Sequence, residues 1–173
     1  MERSDITKRP DDNVRQNQNG QLFLDSCSII EQARSAAYRS VNETLVKRNW
    51  LLGMRIQHEV LKEQRAEYGE QVVKNLSKEL TMKYGRGYQK SNLYLFVSFY
   101  QNHPDFFQPL IGKALNFDCD DIFQSLTGKS PITLSWTHYS IILQEISSEG
   151  RAWYEQEAAR EMWSTRTLQR NVS

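Results

Sequence analysis

Gly128-Lys129-Ser130 is where a glycine, a lysine and a hydroxyl fall together as they do in a phosphate-binding loop. The rest of that loop is missing. Its first glycine would stand where Phe123 does, and Pro131 follows where a helix should begin. Asp118, Asp120 and Asp121 could draw a cation, but the alternating oxygen ligands and the glycine of a calcium loop are absent, so a solvated turn is expected. His58, His103 and His138 are scattered, and suit packing or capping as well as proton transfer. No Gly-x-Ser-x-Gly, HExxH or paired catalytic carboxylate occurs. Glu-x-Lys is also absent, and Asp5-Ile6-Thr7-Lys8 has the wrong spacing for the metal-binding element of a nuclease. The expectation is a chain with no catalytic role of its own, no metal or cofactor, and no small-molecule substrate.

Residues suited to recognition lie elsewhere. Between Glu79 and Asp105 there is no carboxylate, while Lys83, Arg86 and Lys90 all fall there. Arg86 and Lys90 are of the type that neutralises phosphates. Tyr88, Asn92, Tyr94 and Ser98 add hydrogen-bonding and aromatic groups able to reach phosphates or base edges. Arg166 and Arg170 form a second basic pair. These eight are the candidate DNA contacts, against the plainer reading of solvated charges and surface aromatics at helix ends. The formal net charge is +1 and the isoelectric point near 7.8, so contact with nucleic acid must come from a local patch rather than bulk charge.

Helices must hold these residues. Leu93, Phe96, Val97 and Tyr100 recur at i, i+3, i+4 and i+7, one apolar face of a helix, with Lys90, Tyr94, Ser98 and Gln101 on another. Val72, Val73, Leu76, Leu80 and Tyr84 mark a helix before it, and Gly85 and Gly87 punctuate the chain between the two. Helix, short glycine-containing turn and basic second helix give the outline of a helix-turn-helix over about residues 70–102. His103-Pro104 should end it, because a residue before proline is pushed out of the helical region.

Upstream, Ile30, Ala33, Ala37, Val41, Leu45, Leu52, Ile56 and Val60 hold a stripe with no proline, predicting a helix of about 50 Å. Asp25 or the box Ser28-Ile29-Ile30-Glu31 would start it. Gly53 within it calls for a close helix crossing, since glycine there costs about 1 kcal/mol relative to alanine. This helix is expected either to form a homodimer or to serve as a scaffold within the monomer. Residues 1–24, with few aliphatic groups, are expected to be a disordered arm ahead of one helical domain over 25–173. Residues 105–133 should be a packed loop with short regular pieces. Ser135 should cap a helix from Trp136 to about Ile146. Ser147 or Ser148 should start another with Tyr154, Ala158 and Met162 inward, and Ser164 a last short one, a second pair over about 148–172. The fold class is all-α, with helix-turn-helix-like units and a winged-helix variant in view.

Hydrophobic residues at 39% and charged ones at 25% are those of an ordinary soluble protein. No apolar run is long enough to span a bilayer and the N-terminus has no apolar signal core, so a cytoplasmic protein without a membrane partner is expected. Cys27 and Cys119 have no metal-type spacing and are expected to stay reduced.

A set of ordered motifs says more than periodicity does. Val41-Asn42-Glu43-Thr44-Leu45, Trp50 with Gly53, Gly69-Glu70-Gln71-Val72-Val73-Lys74-Asn75-Leu76-Ser77-Lys78-Glu79-Leu80, Gly87-Tyr88, and Asn92-Leu93 with Phe99-Tyr100 come first. Leu134-Ser135-Trp136-Thr137-His138-Tyr139, Arg151-Ala152-Trp153-Tyr154 and Trp163-Ser164-Thr165-Arg166-Thr167-Leu168-Gln169-Arg170 follow. From about Ile30 to Ser173 the chain resembles the N-terminal region of the YhcG-like family, a domain of unknown function that precedes a PD-(D/E)XK nuclease domain. The resemblance implies a helical domain that binds double-stranded DNA through helix-turn-helix units and targets a restriction-like nuclease. The alternative is a protein interaction module that assembles such a nuclease. It also implies departures: the family's basic pair falls on Lys90 and Ser91, so one charge is lost, and Gln89 replaces a capping serine. The nuclease domain is missing from this sequence, and the expectation is that this chain does not cut DNA.

Overall fold

The computed structural model describes residues 10–62, 66–106, 134–145 and 147–172, with side chains over 20–60, 68–106, 134–145 and 147–172. Helix α1 runs Pro10–Lys62, α2 Ala66–Tyr84 and α3 Lys90–Asn102, with a 3-10 turn at Arg86–Tyr88 before α3. Then come α4 (Trp136–Ile142), α5 (Ser148–Arg160) and α6 (Thr165–Val172). The fold is all-α, no strand occurs among the described residues, and none of their helices is long and apolar enough to cross a membrane. The chain divides into two units, Met1–Val41 and Asn42–Ser173, and α1 contributes to both.

α1 begins ahead of the expected caps. Pro10 opens it, where a missing N–H leaves no bond unmade. The box at Ser28 does not form. Ser28 Oγ accepts from the Gln32 amide at 3.0 Å, and Glu31 pairs with Arg34 at 3.0 Å, both within a continuing helix. Of the arm drawn at residues 1–24, residues 1–9 lie outside the described part and helix covers the rest.

The expected stripe along α1 holds only toward its C-terminal end. Ile30 and Val41 are 51% and 58% exposed, whereas Val46, Trp50 and Met54 at successive i+4 steps are buried. Those three join Phe99, Tyr139, Ile142, Ala158 and Leu168 in one core cluster. Ile56 belongs to a second cluster with Val73, Leu93 and Phe96, flanked by Leu52 and Val60. The Phe96 and Phe99 rings meet Trp136 edge-on at 5.2 and 5.4 Å. Trp50 Nε1 donates to the His103 carbonyl at 2.8 Å, tying α1 to the end of α3.

The crossing expected at Gly53 is present, because a β-carbon there would lie 2.0 Å from the Phe96 carbonyl oxygen. α4 stops at Ile142 rather than near Ile146, and residue 146 lies outside the described residues. Ser135 stands at its N-cap without a capping bond, its hydroxyl bonded instead to His138 Nδ1 at 2.7 Å. Ser147 does cap α5, accepting from Gly150 N at 2.9 Å, and Ser164 accepts from Thr167 N at 3.2 Å at the start of α6. Ala158 is buried as expected, but Met162 is 88% exposed with φ 48°, the left-handed residue that ends α5. Residues 107–133, expected to form a packed loop, lie outside the described residues, as do Cys119 and the acidic triplet. Cys27 is a free, half-buried thiol.

Candidate nucleic-acid interface

The start of α3 is built by its own sequence. Gly85 takes φ 93°, a left-handed conformation that spares glycine the β-carbon clash, and its N–H closes α2 on Thr81 O at 2.9 Å. The 3-10 turn leaves Arg86 exposed, while Tyr88 is half-buried against the cluster of Ile56, Val73, Leu93 and Phe96. Arg48 lies over the Tyr88 ring at 5.4 Å. Gln89 is extended at the N-cap and its side chain caps no N–H of the first turn of α3. Asn92 Nδ2 donates to Gly87 O at 3.1 Å and its N–H to Gln89 O at 2.9 Å. Asn92 therefore shapes the turn.

Lys90 is paired. Its Nζ lies 2.6 Å from Glu70 Oε1 and 5.8 Å from the centre of the Tyr94 ring. The Lys90 bond holds the Glu70 carboxyl below its ordinary range, and the same bond raises the Lys90 ammonium. Chain order hid this partner, because Glu70 sits twenty residues upstream. The stretch from Glu79 to Asp105 is free of acid along the chain, yet α2 brings one to it. Tyr94, 43% exposed, and Ser98 line a groove of about 570 Å³ with Val60, Val73, Val97 and Gln101. Gln101 Nε2 donates to Gln57 Oε1 of α1 at 2.8 Å. The polar face of α3 is thus partly occupied by its own neighbours.

Arg166 and Arg170 project one turn apart from α6, whose Leu168 is buried between α4 and α5. Both are exposed, and neither forms an ion pair among the described residues. The same holds for Arg86. Tyr154 anchors the helix by donating to Asn171 O at 2.6 Å. Arg86, Tyr88, Lys90 and Asn92 are thus gathered at one turn, Tyr94 and Ser98 along one groove, and Arg166 and Arg170 on a separate helix.

His138 and His103 are tied into the packing between helices. His138 Nε2 bonds the Trp163 carbonyl at 2.9 Å, joining α4 to the start of α6. His103 stacks on Phe99 and Phe106 at 4.9 and 4.4 Å, and its Nε2 lies 3.7 Å from Glu155. Burial, with Arg151 nearby, pushes His103 down to about 4. Burial also raises the Glu155 carboxyl, against a hydrogen bond from Tyr139. Among the described residues no group of His, Cys, Asp and Glu is arranged to hold a metal.

Fold and surface describe a helical domain with exposed arginines. Residues 25–173 match the DUF1016 N-terminal domain, and the chain belongs to that family. It is 33% identical over 159 residues to the protein named "Putative nuclease YhcG" of Escherichia coli (strain K12), an alignment covering 84% of this chain and 42% of that protein. The chain thus spans less than half of the curated relative it matches. No solved structure matches it.

Proposed function

We propose that this domain binds double-stranded DNA without cutting it, as the targeting part of a nuclease system. The observation that carries the reading is the turn before α3, where Arg86, exposed and in no ion pair among the described residues, precedes a helix whose first turn has no side-chain cap. A helix N-terminus and a guanidinium together suit a phosphate. α2, the turn and α3 then act as a helix-turn-helix, with Tyr88 and Asn92 fixing its shape and Lys90, Tyr94 and Ser98 nearest the duplex. Arg166 and Arg170 supply a second phosphate contact. The relative's name, a nuclease, supports nucleic acid as the partner. Fluorescence anisotropy of a labelled duplex titrated with this chain at two salt concentrations tests the reading. Binding that weakens steeply with salt supports it. No binding at low salt by a folded sample sinks it.

A second reading, an assembly module, has its own observation. Leu22, Phe23, Ile29 and Ile30 on α1 are all more than half exposed, an unusual run of large apolar groups on one helix.

A further inference from the structure

Resting on that second reading, the sequence of α1 specifies both a partner and a register. Leu22, Ser26, Ile29, Ala33, Ala36 and Ser40 recur at alternating steps of four and three residues, the spacing of a two-helix seam. Side-chain size along that seam is lopsided. Leu22 and Ile29, 66% and 68% exposed, lie in its first half, and Ala33, Ala36 and Ser40 in its second. A parallel pair would stack large on large and small on small, leaving the second half unfilled. An antiparallel pair puts Leu22 over Ser40, Ser26 over Ala36 and Ile29 over Ala33, so each large group meets a small one.

Charge points the same way. Asp25, Gln32 and Arg39 repeat every seven residues along one flank of the seam. In an antiparallel pair this flank faces itself, and the same layers set Asp25 against Arg39 of the second copy, twice by symmetry. In a parallel pair Asp25 would instead face the other flank, made of Phe23, Ile30 and Ala37. Asp25 accepts only the Gln21 amide at 2.9 Å among the described contacts, and Arg39 forms no ion pair among them. On that other flank Ile30, 51% exposed, meets its own copy across the two-fold axis.

We propose that residues 22–41 of α1 bind the same segment of a second copy of this chain, antiparallel, in the register Leu22–Ser40, Ile29–Ala33 and Asp25–Arg39. The paired segment is about 30 Å long.

Light scattering on the 173-residue chain over a wide concentration range tests it. The mass should rise from one chain to two. Ile29→Glu, on an exposed helix position where folding is checked by circular dichroism, should abolish the dimer. Asp25→Arg should weaken it about tenfold, since two attractive pairs become repulsive. Asp25→Arg combined with Arg39→Asp should restore it to within about twofold of the original. A monomer throughout would remove the assembly reading itself. A dimer indifferent to Ile29→Glu would place the interface elsewhere and overturn the proposal alone. A dimer lost with Ile29→Glu but insensitive to both charge changes would overturn the antiparallel register.

Discussion

Gly53 of α1 meets the backbone of α3 at Phe96, where an added β-carbon would stand 2.0 Å from the carbonyl oxygen and 2.5 Å from the carbonyl carbon. Neither atom belongs to a flexible side chain, so relief requires the helices to separate. Gly53→Ala therefore trades a helix-propensity gain of about 1 kcal/mol for an overpacking cost. Separation would also loosen Trp50, Phe96 and Phe99, which are essentially fully buried near this crossing. A net loss of about 2–3 kcal/mol in a urea titration is expected; a stabilised variant would mean that the crossing is looser than the geometry states.

Met162 runs the opposite way. Its φ of 48° carries a strain that glycine avoids, and the Trp163 N–H to Ala158 O bond at 3.0 Å marks a helix end that glycine ordinarily occupies. The side chain is 88% exposed, so little packing is lost with it. Met162→Gly should raise the free energy of unfolding by about 0.5–1 kcal/mol, read as a higher urea midpoint.

His103 and Glu155 predict an acid response with opposing parts. His103 is depressed from its ordinary value to about 4, so the folded state favours the neutral ring. That contribution is full above the unfolded value near 6.5, and is lost as pH falls from there toward about 4. Its full size is on the order of 3 kcal/mol. Glu155 is raised, so its contribution is present at low pH and lost as pH rises through the folded value. Acidification thus costs stability through His103 and returns some through Glu155. Urea midpoints at neutral pH and near pH 4 should show Glu155→Gln steepening the acid loss and His103→Gln flattening it, whatever either costs in packing.

How much of this could be read from the sequence depended on the range of the cause. Local causes were legible: the α2–turn–α3 unit from its apolar spacing and two glycines, the close crossing from a glycine in mid-helix, and the caps at Ser147 and Ser164 from a hydroxyl before a helical run. Contacts made across helices were not. The expected stripe of α1 runs through the exposed Ile30 and Val41 because periodicity marks an apolar face without saying whether anything covers it. Ser135 carries the right residue for a cap, but His138 one turn on competes for its hydroxyl. Met162 has helical spacing with Ala158, and only the left-handed turn turns it outward. At the candidate site, the acid-free stretch around Lys90 conceals its partner Glu70, which is distant in sequence.

That partner yields the last prediction. If Lys90 lies at a DNA interface, Glu70 competes with phosphate for its ammonium, because their bond at 2.6 Å must break or be shared before Lys90 can face the duplex. Both side chains are substantially exposed, at 42% and 63%, so solvent already screens the pair and breaking it costs little. Glu70→Gln removes the competing charge and one repulsion toward phosphate while keeping the side chain's shape. Duplex affinity at low salt should rise about threefold to tenfold, and the salt dependence should steepen by about one ion. Lys90→Ala should erase the part of that gain that comes from freeing the lysine, leaving only the smaller part due to the lost repulsion. Should Glu70→Gln leave both affinity and salt slope unchanged while Arg86→Ala weakens binding, the interface would include the turn but exclude the start of α3.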